Sequence, residues 1–224
     1  MTLSNSAVFT QTARTYRAAI NNIAASSWRF LHSGFPGGGS GVQGSKVVAV
    51  SGTSTDSSAR DVQLAIAKTA TVTITIATPG VVAWAGHMFA NGNQIVFQTT
   101  GALPTGLTAG ATYYVINSDT VAGTFQLSAT YDGTAINTSG SQSGVHTGYI
   151  IRPLGCASVA ATAGTVSTVA SADFFSSSYI PGLPIGPDGE KYIYLEAGDW
   201  LCASALTTVT SGKIIQITAI AADF

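Results

Sequence analysis

The chain has 224 residues, of which 46% are hydrophobic and only 8% charged, with a net charge of −1. That length holds one large β domain or two small ones, and the apolar content suffices for a substantial core. Near-neutral charge leaves no electrostatic footprint for nucleic acid, and ordinary globular domains carry roughly 25% charged residues, so a large free surface would be poorly solvated here.

Two accounts of that low charge stay open: a surface covered by neighbouring subunits, or one made polar by Ser, Thr, Asn and Gln. The opening residues MTLSNSAVF lack the basic stretch and apolar run of a secretory leader, and no apolar run is long enough to span a membrane. Synthesis and assembly in a cytoplasm are therefore expected. Phe9, Ala13, Tyr16, Ile20 and Ile23 follow a 4-3-4-3 spacing, which predicts a short helix with one apolar face. Arg14 and Arg17 fall off that stripe. So short a helix is marginal alone in water. It is expected to pack, as an anchor on a neighbour or as a cover on the chain's own sheet. Gly34, Gly37, Gly38, Gly39 and Gly41, with Pro36 and Ser40, then read as a flexible linker. No lysine follows where a phosphate-binding loop needs one.

From Lys46 the period changes to two. Val62, Leu64 and Ile66 share one face of a strand. In the run from Thr71 to Ile76, Val72, Ile74 and Ile76 are expected inward and the threonines outward, with Pro79 and Gly80 ending it. After a transitional stretch from Trp84 to Asn93, strands are predicted at Gln94–Thr99, Thr112–Asn117 and Thr124–Ala129. Between the first two lies a connector held by Pro104, where Gly106 and Gly110 are free to take positive φ. Asp132-Gly133 signals a hairpin leading to a short strand near Ala135 and Ile136, followed by a polar loop. The whole stretch from Ile95 to Thr147 has no lysine or arginine, and its only acids are Asp119 and Asp132. Tyr113 and Tyr114 are neighbours on one strand, so they point to opposite faces and one is expected at the surface. Later strands are predicted at Tyr149–Leu154, Thr165–Val169, Lys191–Leu195, Trp200–Leu206 and Lys213–Ala221. Turns are expected at Pro187-Asp188-Gly189 and from Glu196 to Asp199.

Residues with chemistry to offer are dispersed. His32, His87 and His146 lie in different segments without the spacing of a zinc site. No serine sits in a G-x-S-x-G elbow. Cys156 and Cys202 read as small buried hydrophobes, and whether a late disulfide joins them stays open. Most acids stand beside Gly or Ser in turns, where aspartate serves the backbone. Nothing favours a pair of carboxyls set for glycoside cleavage. No catalytic residue, metal site or cofactor is expected.

The phrase TTGALPTGLTAG, followed by TYYV and TFQLSAT, resembles a small β-module inserted in tailed-bacteriophage virion proteins. The closing phrase KYIYLEAGDWLCASALTTVTSGKIIQITAIAADF resembles the last half of small jelly-roll-like domains in phage tail and capsid accessory proteins. This resemblance implies an all-β fold: a jelly-roll-like β-sandwich formed by 45–83 and 149–224, an inserted module at 84–148, and an N-terminal helical arm with its linker at 1–44. It implies a non-enzymatic structural protein on the exterior of a virion, assembled in the host cytoplasm, as capsid decoration or cement or as a head–tail accessory. The implied partners are copies of itself, in a homotrimer or another symmetric oligomer, and major capsid or tail proteins. Neither nucleic acid nor membrane is implied. In that reading Phe9, Ala13, Tyr16, Ile20 and Ile23 are the anchoring interface. The alternative is a tail-fibre or receptor-binding module that recognises host surface glycan, with Tyr113 and Tyr114 as recognition residues.

Overall fold

In a computed structural model, residues 13–21, 28–34, 44–187, 189–196 and 198–223 are described. They hold thirteen strands in two sheets and no helix. In chain order these are β1 (Ala13–Asn21), β2 (Arg29–Ser33), β3 (Gly44–Ser54), β4 (Arg60–Ile74), β5 (Val81–Ala83), β6 (Gln94–Thr99) and β7 (Thr112–Asp119). There follow β8 (Thr124–Ser128), β9 (His146–Val159), β10 (Ala172–Asp173), β11 (Ile193–Glu196), β12 (Asp199–Ala205) and β13 (Ile214–Asp223). The chain gathers into two compact units. Among the described residues, one unit takes β1, Arg29–Leu64 and the chain from Leu154 onward, and the other takes Trp28 and Ala65–Pro153. The chain passes between them within β4 and again within β9.

The outer unit is sandwich-like. One sheet has the order β1-β13-β3-β10, with β11 also paired to β3, and the order β2-β12-β4 lies in the other. β2 packs against β1 and β13. Alternation makes the core, since Val47, Leu195, Ile215 and Ile217 from the first sheet and Leu64 and Leu201 from the second are all fully or almost fully buried. His32 on β2 is buried, stacks on Tyr16 at 3.9 Å between centroids, and shares a 2.7 Å hydrogen bond with Ser45. Cys202 is not disulfide-bonded and lies in this core, where burial pushes its pKa up. Cys156 is not disulfide-bonded either, and its pKa is raised by burial and then by the charge of Asp61.

A buried carboxylate ties two loops of this unit together. Asp56 has no accessible surface. It accepts hydrogen bonds from Arg60 Nε at 2.8 Å, Thr210 Oγ1 at 2.8 Å, Thr210 N at 3.0 Å and Ser58 N at 3.1 Å. Burial alone would raise its pKa, but these donors outweigh it and hold the carboxyl well below the usual carboxylate range.

The second unit is a ring. Its order is β4-β5-β8-β7-β6-β9, and β9 also pairs with β4, which closes the circuit. The reason lies in the pattern of two. Val72 and Ile74, Val82, Phe125 and Leu127, Tyr113 and Val115, Ile95 and Phe97, and Ile150 stand at alternate positions of the six strands and meet in one core. Trp84, Phe89 and Leu107 complete it from the connections. Closure leaves these six strands without a free edge.

Several expectations need correction. Ala13–Asn21 is a strand, not part of a helical arm. All nine of its residues pair with β13, from Ala13 opposite Ala222 to Asn21 opposite Ile214. Tyr16, Ala18 and Ile20 also alternate with period two, and that pattern wins once a partner strand exists, because tertiary pairing overrides a short local periodicity. Phe9 and Ile23 lie outside the described residues. Thr165–Val169 is a turn, closed by Gly164 N on Val169 O at 2.9 Å. Ile76 lies beyond the end of β4 and is 47% exposed, while Val72 and Ile74 point inward as expected. The strand with Val72 and Ile74 lies in the compact unit that takes Ala65–Pro153.

Candidate functional site

The ring unit presents one cleft with an unusual lining. It has a volume of about 240 Å³ and is bordered by Lys68 of β4, Arg152 of β9, and Trp84, Met88, Phe89 and Asn93 of the connection from β5 to β6. That connection is irregular but firmly held. His87 is buried, with Nε2 3.2 Å from the carbonyl of Thr124, while its Nδ1 accepts from Phe89 N at 3.4 Å. Both ring nitrogens are thus engaged by the backbone, which fixes the tautomer with the proton on Nε2. His87 stacks on Phe89 at 5.0 Å, and Trp84 meets Phe89 edge-on at 4.8 Å. Asn93 accepts from Ala90 N through Oδ1 at 3.0 Å, a contact that turns the chain into β6. Gly86 takes φ +71, and open space lies where a Cβ would stand.

Around that rigid floor the rim is of another character. Lys68 and Arg152 are exposed and are the only lysine and arginine between Ala65 and Pro153. Although 84 positions separate them in sequence, ring closure between β4 and β9 brings them to one cleft. The acids of the same stretch are Asp119 and Asp132. Asp119 caps its own turn through Val121 N and Ala122 N, and Asp132 sits at φ 55 in the hairpin before Gly133. Neither lines the cleft. Met88 stands at the rim 85% exposed. The arrangement can attract an anion and offer it a small apolar surface; it holds no nucleophile with an adjacent base. Among the described residues, no group of three His, Cys, Asp or Glu is placed to hold a metal ion.

The residues singled out by sequence fall elsewhere. Tyr113 is buried, with its ring 6.3 Å from Phe97, and its hydroxyl accepts from Thr108 N at 2.7 Å. It is a core residue that pins the connector before β7. Tyr114 points the other way, half-buried, edge-on to the exposed Tyr131 at 6.0 Å. Of the anchoring stripe, Tyr16 and Ile20 share the inner face of β1, where Ile20 is wholly buried, while Ala13 lies on the exposed face. The structure therefore does not unite these three on one surface. The signal of Lys68 and Arg152 in the sequence is isolation: they are the two Lys or Arg residues between Ala65 and Pro153. No protein-family model matches the chain, and neither a curated protein nor a solved structure is significantly similar to it.

Proposed function

We propose that this chain is a non-enzymatic structural protein on the exterior of a tailed-phage virion, acting as capsid decoration or as a head–tail accessory in a symmetric oligomer. The observation that carries this reading is an all-β chain with only 8% charged residues that nonetheless leaves large apolar side chains open, Tyr131, Val145, Ile185 and Leu206 among them. Neighbouring subunits would cover such a surface. The resemblance of the TTGALPTGLTAG phrase to virion modules supports the same reading. So does the resemblance of the closing phrase, which forms β11, β12 and β13, to domains in phage tail and capsid accessory proteins. Within this reading, attachment moves from a helical stripe to the outward face of β1, with Ala13, Thr15, Arg17 and Ala19. β1 stands last in its sheet order, and exposed Arg14 and Arg17 discourage indiscriminate strand pairing there. Light scattering on the purified protein tests the oligomer: a trimer or another closed multimer is expected. A monomer at every accessible concentration contradicts it.

The receptor-binding alternative has its own observation, the cleft of the ring unit. Closure removes strand addition as a mode of recognition for those six strands, so that unit would meet a ligand through its cleft and loops.

A further inference from the structure

We infer that the cleft between Lys68 and Arg152 is a binding site for a small carboxylate-bearing ligand with an apolar face, of the class to which uronic and sialic-type sugar acids belong. The inference does not depend on the virion reading, because every residue of the cleft belongs to the ring unit.

Three observations converge on it. The first is charge placement. A stretch of 89 residues with one lysine and one arginine delivers both to the same cleft, while its acids are outside the lining. Two cations that line one cleft with no carboxylate in that lining favour an anion between them. Arginine also presents a planar fork suited to two carboxylate oxygens. The second is the exposed thioether. Met88 is 85% exposed at the rim, above a floor of Trp84, Phe89 and Ile150. A bare inorganic anion has no use for that surface, whereas the C–H face of a sugar ring does. The third is preorganisation. His87 and Asn93 are held by hydrogen bonds to the backbone and the Phe89 ring by its contacts with His87 and Trp84, so the floor needs no reordering when a ligand arrives. Asn93 spends its carbonyl oxygen on Ala90 N, which leaves its amide N–H groups as the polar donors for a hydroxyl. A volume of about 240 Å³ admits one small ligand, not an extended chain.

The test is ligand-observed NMR with isothermal titration on the full chain, using D-glucuronate, N-acetylneuraminate, D-glucose and inorganic phosphate. At least one of the two sugar acids binds saturably, and D-glucose does not. The Lys68→Ala/Arg152→Ala variant weakens that binding by about tenfold or more, as the loss of two charge-assisted contacts requires. Both side chains are exposed, so the variant keeps the wild-type melting curve. Met88→Ala weakens sugar-acid binding and leaves any phosphate binding unchanged. Absence of binding by both sugar acids overturns the proposal, as does binding that the double variant retains. Phosphate bound as tightly as the sugar acids also overturns it, since the cleft would then be a simple anion site.

Discussion

At the scale of single residues, Asp56 and Tyr113 show how a buried polar atom is made tolerable. Asp56 sits between two loops with four donors on its carboxylate, and those donors hold it ionised. Its folded pKa lies well below that of an unfolded aspartate, about 3.9. The stabilisation is fully present above that unfolded value, where both states are ionised. It is lost as pH falls through it toward the folded pKa, because the unfolded chain takes up the proton first. Urea denaturation from pH 7 down to below about pH 4 is thus expected to show falling stability, with a shallower fall in Asp56→Asn. At pH 7, Asp56→Ala should cost about 3 kcal/mol by leaving Arg60 Nε and the Thr210 amide without their acceptor. A flat pH profile in the wild type would contradict this account. Tyr113→Phe removes the acceptor of Thr108 N and should cost about 1 kcal/mol, whereas Tyr113→Ala should cost about 3 kcal/mol or more by opening the ring core. Any loss of ligand binding in Tyr113→Ala would reflect unfolding; Tyr114→Ala, on the outer face, is the variant that reports on surface recognition.

At the scale of elements, legibility followed the strength of the local pattern. The strand Gln94–Thr99 is legible with its ends, because the apolar run Ile95-Val96-Phe97 is flanked by Gln94 and Gln98 and bracketed by Gly92 and Gly101. Gly106 and Gly110, expected to take positive φ, do so at +106 and +78. The segment Ala13–Asn21 differs from its expected helix because Tyr16 and Ile20 satisfy a helical spacing and a strand alternation at once, and pairing with β13 decides between them. Thr165–Val169 has the β-branched composition of a strand, but Gly164 at φ +68 and its N–H on the carbonyl of Val169 close the segment into a turn instead. The cleft was not legible at all: it depends on the closure of β4 with β9, a long-range pairing that no window of sequence contains. One glycine exposes that dependence. Gly148 on β9 lies where a Cβ would come within 2.8 Å of the Trp84 indole and 3.3 Å of Val72. Gly148→Ala should destabilise the protein by about 1–3 kcal/mol through overpacking, and should shift the near-ultraviolet signal of Trp84. An unchanged melting temperature would show that the indole does not rest against β9.

At the scale of the whole molecule, two kinds of β unit divide the work. The sandwich-like unit carries the edge strand β1, which a neighbour could extend. The closed ring carries no free edge among its six strands and presents its loops and cleft instead. A charge-poor chain with open apolar side chains suits an assembly in which copies shield one another. The proposed place on a virion exterior is tested most directly by labelling intact particles of the proposed virus with an antibody raised against the 117–123 turn, where Val121 is 97% exposed. Regular labelling of the particle exterior, at positions with a fixed symmetry, is the result predicted. Particles that lack the chain, or that carry it only where the antibody cannot reach until they are opened, would contradict it.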